Sequence, residues 1–224
     1  MSDLGTQRKW DAAASLYDVM GGFGPERRWR AAKRRLFSGI EGHILFLAVG
    51  TGLDIPCFPL AKRIVGIDIS PKMLEKARPR AEAYRGQITL KQMDVHEMDF
   101  ADASFDQVYS SCTFCSVPEP VQGLKALRRV LKPGGNLGMF EHTGSHYFPF
   151  NLMLNLMNPV CRILGPEINR DTVANVRAAG FKIDKVTNVY LDVVKTIEAT
   201  APISALGVYH GQRLHHTARN TRNL

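Results

Sequence analysis

The sequence of 224 residues is 45% hydrophobic and 22% charged, which suits one sizeable core and excludes collagen-like, coiled-coil and wholly disordered chains. Its 29 Lys and Arg against 21 Asp and Glu give a formal charge of +8, and four cysteines (Cys57, Cys112, Cys115, Cys161) are too few for a disulfide framework, so they read as reduced thiols of a cytoplasmic protein. No signal peptide is expected from MSDLGTQRKWD, and the apolar stretch from Tyr147 to Leu164 fails as a membrane span because Pro149, Pro159, Arg162 and three Asn interrupt it.

Along the chain, Trp10, Ala13, Ala14, Tyr17 and Met20 recur at helical spacing and predict an amphipathic first helix, ended by Gly21, Gly22 and Gly24. A second helix from Pro25 carries Trp29, Leu36 and Phe37 beside six cations. The charge excess concentrates at the two ends. Arg8 to Arg35 holds eight basic residues against three acids, Ile203 to Leu224 holds three Arg and no acid, and the remainder balances at 18 against 18. Two basic ends on a neutral body suit an anionic surface as partner, and they suit equally a solvated helix face with a basic tail.

His43–Val49 (HILFLAV) is a continuous apolar run that fits a strand buried on both faces, and Arg63–Ile69 (RIVGIDI) is a second. Ser70-Pro71 with Met73, Leu74 and Ala77 signals a helix. Ile88–Val95 and Phe105–Ser111 read as strands three and four. Leu124, Leu127, Val130 and Leu131 mark a helix stopped by Pro133-Gly134-Gly135, and Asn136–His142 is strand five. After an apolar insert, Asp171–Ala179 is a short helix with Gly180 beyond its end. Phe181–Val189 and Asp192–Ala199 have no helix between them and should pair as an antiparallel edge hairpin. Strands alternating with helices predict an α/β protein with a mostly parallel sheet.

The turn after strand one, Ala48-Val49-Gly50-Thr51-Gly52, lets backbone N–H groups approach a ligand. Asp68, 18 residues beyond Gly50, sits where a carboxylate accepts from a ribose diol in doubly wound folds. Asp94, ending strand three, is placed to reach an adenine amino group. Each acid alone also has a reading as a helix cap or turn residue; together with the glycines they locate a nucleoside at the carboxyl edge of the sheet. The third glycine of a dinucleotide fingerprint is missing, since Leu53-Asp54-Ile55-Pro56 follows Gly52, which argues against NAD. Cys112-Thr113-Phe114-Cys115 is a lone CxxC and reads as small strand-end residues beside the nucleoside, not as a metal or redox site; no metal is expected.

Gly50-Thr51-Gly52, Asp68 to Leu74, Met93-Asp94-Val95, Ser104 to Val108 and Arg129 to Gly135 resemble, in order, the motifs of class I S-adenosylmethionine-dependent methyltransferases. The branch they most resemble holds the ubiquinone/menaquinone methyltransferases and bacterial phosphatidylethanolamine N-methyltransferases. The resemblance spans Tyr17 to Ala199 and implies a doubly wound, Rossmann-like seven-stranded sheet. It implies S-adenosylmethionine as cofactor, S-adenosylhomocysteine as product, and no metal. Ala48, Val49, Gly50, Thr51 and Gly52 would pass the methionine moiety; Asp68, followed by Ile69 and Met73, would hold the ribose; Asp94 and Val95 would frame the adenine, with His96 adjacent. Ser111 and Cys112 would lie beside the sulfonium. Family members usually carry an acid where this chain has Phe46 and a glycine where it has Ala48, and Asp54 is the residue that could compensate.

An amine or thiol acceptor must lose a proton, so a base or proton-accepting water is expected near the methyl. Candidates are His142 and Glu141 at the end of strand five and Tyr17 and Asp18 on the first helix. Tyr17-Asp18 resembles the pair with which related phospholipid methyltransferases close a helix over the cofactor. The expected organisation is a basic helical lid (1–39), a cofactor domain (40–202) with a substrate insert (143–166), and a basic tail (203–224). The insert would wall a pocket for an apolar or lipid-linked acceptor, or pack on the sheet as a core helix. With the basic helix, and the Trp10 face of the first helix inserted in the bilayer, the expectation is methylation of phosphatidylethanolamine at the inner face of the membrane. The alternative acceptor is small and soluble: a thiol, amine, phenol or quinone precursor. No stacking platform or recognition helix supports a nucleic-acid partner.

Overall fold

The computed structural model of the chain describes residues 4–22, 25–60, 62–164 and 166–203, so all of the expected basic tail beyond Ile203 lies outside the described residues. Two helices open the chain, α1 (Leu4–Gly22) and α2 (Pro25–Phe37). The strands are β1 (His43–Leu47), β2 (Arg63–Asp68), β3 (Gln87–Gln92), β4 (Phe105–Ser111), β5 (Leu131–His142), β6 (Lys182–Tyr190) and β7 (Val194–Thr200). Between them run α3 (Pro71–Glu82), α4 (Pro120–Val130), α5 (Phe150–Leu164) and α6 (Thr172–Ala178).

The continuous apolar runs take the centre of a seven-stranded sheet of order β3-β2-β1-β4-β5-β7-β6. The first five strands are parallel, because each is followed by a crossover that returns the chain to the same edge; β7 enters antiparallel between β5 and β6. The expected edge hairpin is therefore present. One face of the sheet is closed by α4 and α6 over Leu45, Val108, Leu137, Met139 and Ile197; the other is closed around Phe37, Ile44, Phe46 and Phe58.

Most strand boundaries move, and three of the shifts have a local reason. β1 stops at Leu47, two residues early, because Ala48 turns into the left-handed region (φ 52°). β3 stops at Gln92, and Asp94 instead caps a short 3-10 turn over Val95–Glu97 through its side chain. β5 begins at Leu131, five residues before the expected start, because Leu131 is extended (ψ 140°) and pairs with Phe105; the register shift in β4 between Phe105 and Gln107 absorbs the intervening Lys132–Gly135 segment.

The insert forms α5, and it neither packs broadly on the sheet nor hides its apolar side chains. Leu154 and Asn158 are the buried ones among its described side chains, while most of its Leu, Met and Val side chains face outward. Among the described helices, none is long and apolar enough to cross a membrane.

Candidate active site

All five parallel strands end at one edge, and the first two crossovers start there with tight turns. After β1 the chain reverses through Ala48, Gly50 (φ 57°) and Gly52 (φ 83°). A Cβ on Gly52 would lie 2.9 Å from Ile55 Cδ1 and 3.2 Å from Ala77 Cα of α3, so only glycine lets the turn settle against the helix. After β2, Asp68 projects into the angle between the two turns. Its Oδ2 accepts from Gly50 N–H at 2.8 Å and its Oδ1 from Ser70 N–H at 2.9 Å. Ser70 in turn caps α3, accepting at Oγ from Met73 N–H. Burial pushes the Asp68 carboxyl up to about 6, against the pull of those two backbone donors, and Asp11 adds a like charge. Each carboxylate oxygen keeps a lone pair for a further donor.

Around Asp68 opens a cleft of about 750 Å³, open solvent included. Its floor is Leu47, Ala48, Gly50 and Ile69; one end is Met93, Asp94, Val95 and His96; the other is Ser111, Cys112, Thr113 and Ser116. Asp94 accepts at Oδ1 from His96 N–H at 2.9 Å and contacts His96 Nδ1 at the same distance. Cys112 sits just past β4 in a left-handed conformation (φ 51°), its N–H bonded to Phe140 O at 2.7 Å, and burial holds its thiol well above the usual value. Ala48 and Cys112, two of the four non-glycine residues with positive φ among the described residues, both line the cleft, where such strain is expected to persist for a purpose. Ser111 Oγ is buried without a hydrogen-bond partner.

The roof is α1, which contributes Thr6, Trp10 and Tyr17. Trp10 meets Tyr17 edge-on with ring centroids 6.2 Å apart. The helix is tied to the floor: Ser70 Oγ donates to Asp11 Oδ1 at 2.5 Å, and Arg80 bridges Asp18 Oδ2 (3.0 Å) and the Thr51 carbonyl (2.6 Å). Trp10 is thus turned to the cleft, which corrects the expectation that its face enters a bilayer.

Of the residues singled out from sequence, Tyr17, Ala48, Gly50, Asp68, Ile69, Met73, Asp94, Val95, His96, Ser111 and Cys112 converge on this cleft. Val49, Thr51 and Gly52 lie behind it: Val49 is in the second core cluster, Thr51 is buried, and Gly52 seats the turn on α3. Glu141 and His142 do not line it either. Glu141 is wholly buried and accepts from Ser110 Oγ (3.0 Å), Thr113 N–H (3.0 Å) and Phe114 N–H (3.1 Å), which pins the loop after β4. Burial pushes its carboxyl up to about 7, and those donors with Lys33 restrain the rise. His142 shares the sheet face of Phe140, which contacts Trp29 of α2; burial lowers its pKa, and its Nδ1 has no partner among the described residues. Asp54 does not reach the cleft, since Lys33 Nζ holds its Oδ1 at 2.8 Å in a buried pair, and Phe46 is packed against Phe37 and Phe58. Neither supplies the missing acid.

Sequence reasoning overlooked Thr6, Leu47, Met93 and the Thr113–Pro118 loop. Thr6 was within reach, being one turn before Trp10 on the face that carries Tyr17. Arg80 had no signal, because its role depends on α1 crossing α3. The donor set fits S-adenosylmethionine: a carboxylate for a diol, a second acid and a turn at one end, and small polar side chains at the other. Among the described residues no group of three His, Cys, Asp or Glu is arranged to hold a metal.

Residues 47–139 match the profile of the methyltransferase domain family. The chain is 34% identical over 154 residues to the ubiquinone/menaquinone biosynthesis C-methyltransferase UbiE of Geotalea daltonii, covering 64% of this chain and 66% of that one. It is 36% identical over 103 residues to the phosphatidylethanolamine N-methyltransferase of Cereibacter sphaeroides, covering 45% and 51%. The chain therefore spans between half and about two thirds of the length of these relatives. In fold it is similar to the [4+2]-cyclase SpnF (TM-score 0.70, 16% identity, 90% of this chain and 97% of that one). It is similar likewise to a methyltransferase structure from Bacillus halodurans (TM-score 0.64, 18% identity, 76% and 98%). At such identities the likeness is one of fold, and fold alone does not fix chemistry. With strand order, turn geometry and family profile in agreement, residues 47–139 carry a methyltransferase domain, and the chain has the fold of class I S-adenosylmethionine-dependent methyltransferases.

Proposed function

We propose that the protein transfers a methyl group from S-adenosylmethionine to an acceptor carried by a membrane lipid, the headgroup amine of phosphatidylethanolamine. The observation that carries the transfer is the Asp68 carboxylate, held by Gly50 and Ser70 at the floor of a cleft whose far end is small, polar and uncharged. When bound, the sulfonium cofactor supplies an electrophilic methyl carbon and a neutral thioether leaving group. Asp68 would accept from the two ribose hydroxyls, Asp94, Val95 and His96 would hold the adenine, and the Gly50 turn would receive the amino-acid end. Ser111, Cys112 and Thr113, with Tyr17 and Trp10 of the roof, would line the end where the methyl is transferred.

The ionisable lining groups are Asp68, Tyr17, Asp94, His96 and Cys112, and the carboxylates and histidine sit at the nucleoside end. Glu141 and His142 lie outside the lining, so the mechanism routes no proton through them. An amine acceptor sheds its proton to water at the open side of the cleft, and the protein contributes alignment and exclusion of bulk water. Orientation of this kind can contribute ~7–11 kcal/mol. The phosphate of a headgroup stays at the rim, because the lining holds no Lys or Arg among the described residues.

A quinone-precursor ring carbon is the second reading, favoured by the longer match to the quinone C-methyltransferase. The deciding experiment is labelled methyl transfer from S-adenosylmethionine into phosphatidylethanolamine and, separately, into a demethylated quinol, both in detergent micelles, with Asp68→Ala as control. Label in the phospholipid supports the first reading, label in the quinol alone replaces it with the second, and label in neither removes both.

A further inference from the structure

Helix α5 is built inside out. The side chains turned to the protein are Asn151, Leu154, Asn158 and Cys161, spaced three, four and three residues apart, and two of the four are amides. Asn158 Oδ1 accepts from Ile168 N–H at 2.9 Å, and Asn155 bonds Asn169 at 2.8 Å, so polar groups hold the helix down. The outward face is apolar instead: Leu156 is 71% exposed, Val160 64% and Ile163 77%, continued by Leu152, Met157 and, just ahead of the helix, Phe148 at 79%. An isolated exposed leucine is ordinary, but a contiguous apolar helix face with Asn151 and Asn158 directed inward is not.

Charge says what the face is for. From residue 143 to 166 there is no Asp or Glu, and the ionised side chain on the helix is Arg162, 64% exposed and paired at 3.3 Å with Glu167. Lys9 of α1 donates to the Arg162 carbonyl at 3.5 Å, so the exposed Arg8 and Lys9 stand beside the end of the apolar face. Basic residues at one end of an acid-free apolar stripe complement an anionic bilayer, with cations at the phosphate layer and the stripe among the acyl chains.

The position also couples this face to the cleft. The segment leaving α5 joins the loop that lines it: Glu167 N–H donates to Cys115 O at 2.8 Å, and Arg170 bonds the carbonyls of Phe114 and Val117. We infer that the outward face of α5 is a membrane-insertion surface for an anionic phospholipid bilayer, lying flat in the interface and presenting the cleft mouth between α1 and the Thr113–Pro118 loop to it. This rests on the reading that the acceptor is membrane-borne.

The test is flotation of the full chain with vesicles of phosphatidylglycerol and phosphatidylcholine in equal parts, against the doubly substituted Leu156→Asp, Val160→Asp protein. Both side chains are exposed, so cofactor affinity by calorimetry and the thermal melt should match the parent, which certifies the fold. Vesicle partitioning of the parent should be at least tenfold stronger than that of the variant and should weaken in high salt. Equal partitioning of the two proteins, or none by the parent, overturns the inference. So does a parent that is dimeric by light scattering without lipid and loses its dimer in the variant, since the face would then be covered by a second copy. Methylation of micellar phospholipid with no vesicle binding sinks the surface and spares the acceptor; vesicle binding lost in the variant, with no methylation of any lipid, does the reverse.

Discussion

Each half of the sheet's carboxyl edge buries a carboxylate, and the two are used in opposite ways. Asp68, after β2, takes one backbone donor on each oxygen and turns its remaining lone pairs to a solvent-connected cleft. Glu141, in β5, is wholly enclosed and takes three donors, all of them from the strand and loop that follow the sheet's midline. A buried charge that keeps acceptor capacity is arranged for a ligand; one whose donors are all internal is arranged for the loop it fastens. The cofactor half of the molecule is therefore polar at its centre, and the acceptor half is polar at its joints and apolar outside.

The largest effect expected from this contrast is on binding. Asp68→Ala should weaken S-adenosylmethionine by at least ~100-fold in calorimetry, since two hydrogen bonds to a charged acceptor are lost. Glu141→Ala should act on the fold: leaving two buried N–H groups and a hydroxyl unpaired should lower unfolding free energy by about 2–3 kcal/mol in a denaturant titration. If Glu141→Ala instead removed cofactor affinity at unchanged stability, the contrast would be reversed.

pH separates the two acids further. The Asp68 carboxyl is raised to about 6, and only its ionised form accepts two hydroxyl protons. Cofactor affinity should be full near pH 8 and fall by up to about tenfold per unit below pH 6. The Asp68 contribution to stability of the ligand-free protein runs the other way. A folded-state pKa above the unfolded value means tighter proton binding when folded, so that contribution grows as pH falls from about 6 towards 4. The smallest effect concerns strain: Ala48→Gly should raise the melting stability by about 0.5–1 kcal/mol, the left-handed penalty of alanine less the extra chain entropy of glycine.

The cofactor half was largely legible from sequence because its chemistry is local. A strand, a glycine turn and an acid at a fixed offset lie within the 26 residues from His43 to Asp68, and backbone geometry brings them together without help from distant parts. The acceptor half was not, because its arrangement depends on which way a helix is rotated. Phe150 to Leu164 is apolar nearly all round in sequence, so periodicity could not say that Asn158 faces in and Leu156 out. Nor could any pattern reveal that Lys33 would claim Asp54, or that Glu141 would turn towards the Thr113 amide instead of the cleft, since each depends on long-range packing. The start of β5 at Leu131 was missed because Pro133 reads as a stop, whereas here it lies within the irregular opening of that strand.

Helix α1 is wall as well as roof, for Thr6, Trp10 and Tyr17 are surfaces that any occupant of the cleft must touch. Whatever seats there is consequently a ligand of the helix too, and by linkage it stabilises α1 by the same free energy with which the seated helix tightens the ligand. Amide hydrogens of residues 4–22 should exchange with deuterium more slowly in proportion to occupancy, which makes that one stretch of backbone an internal gauge of saturation.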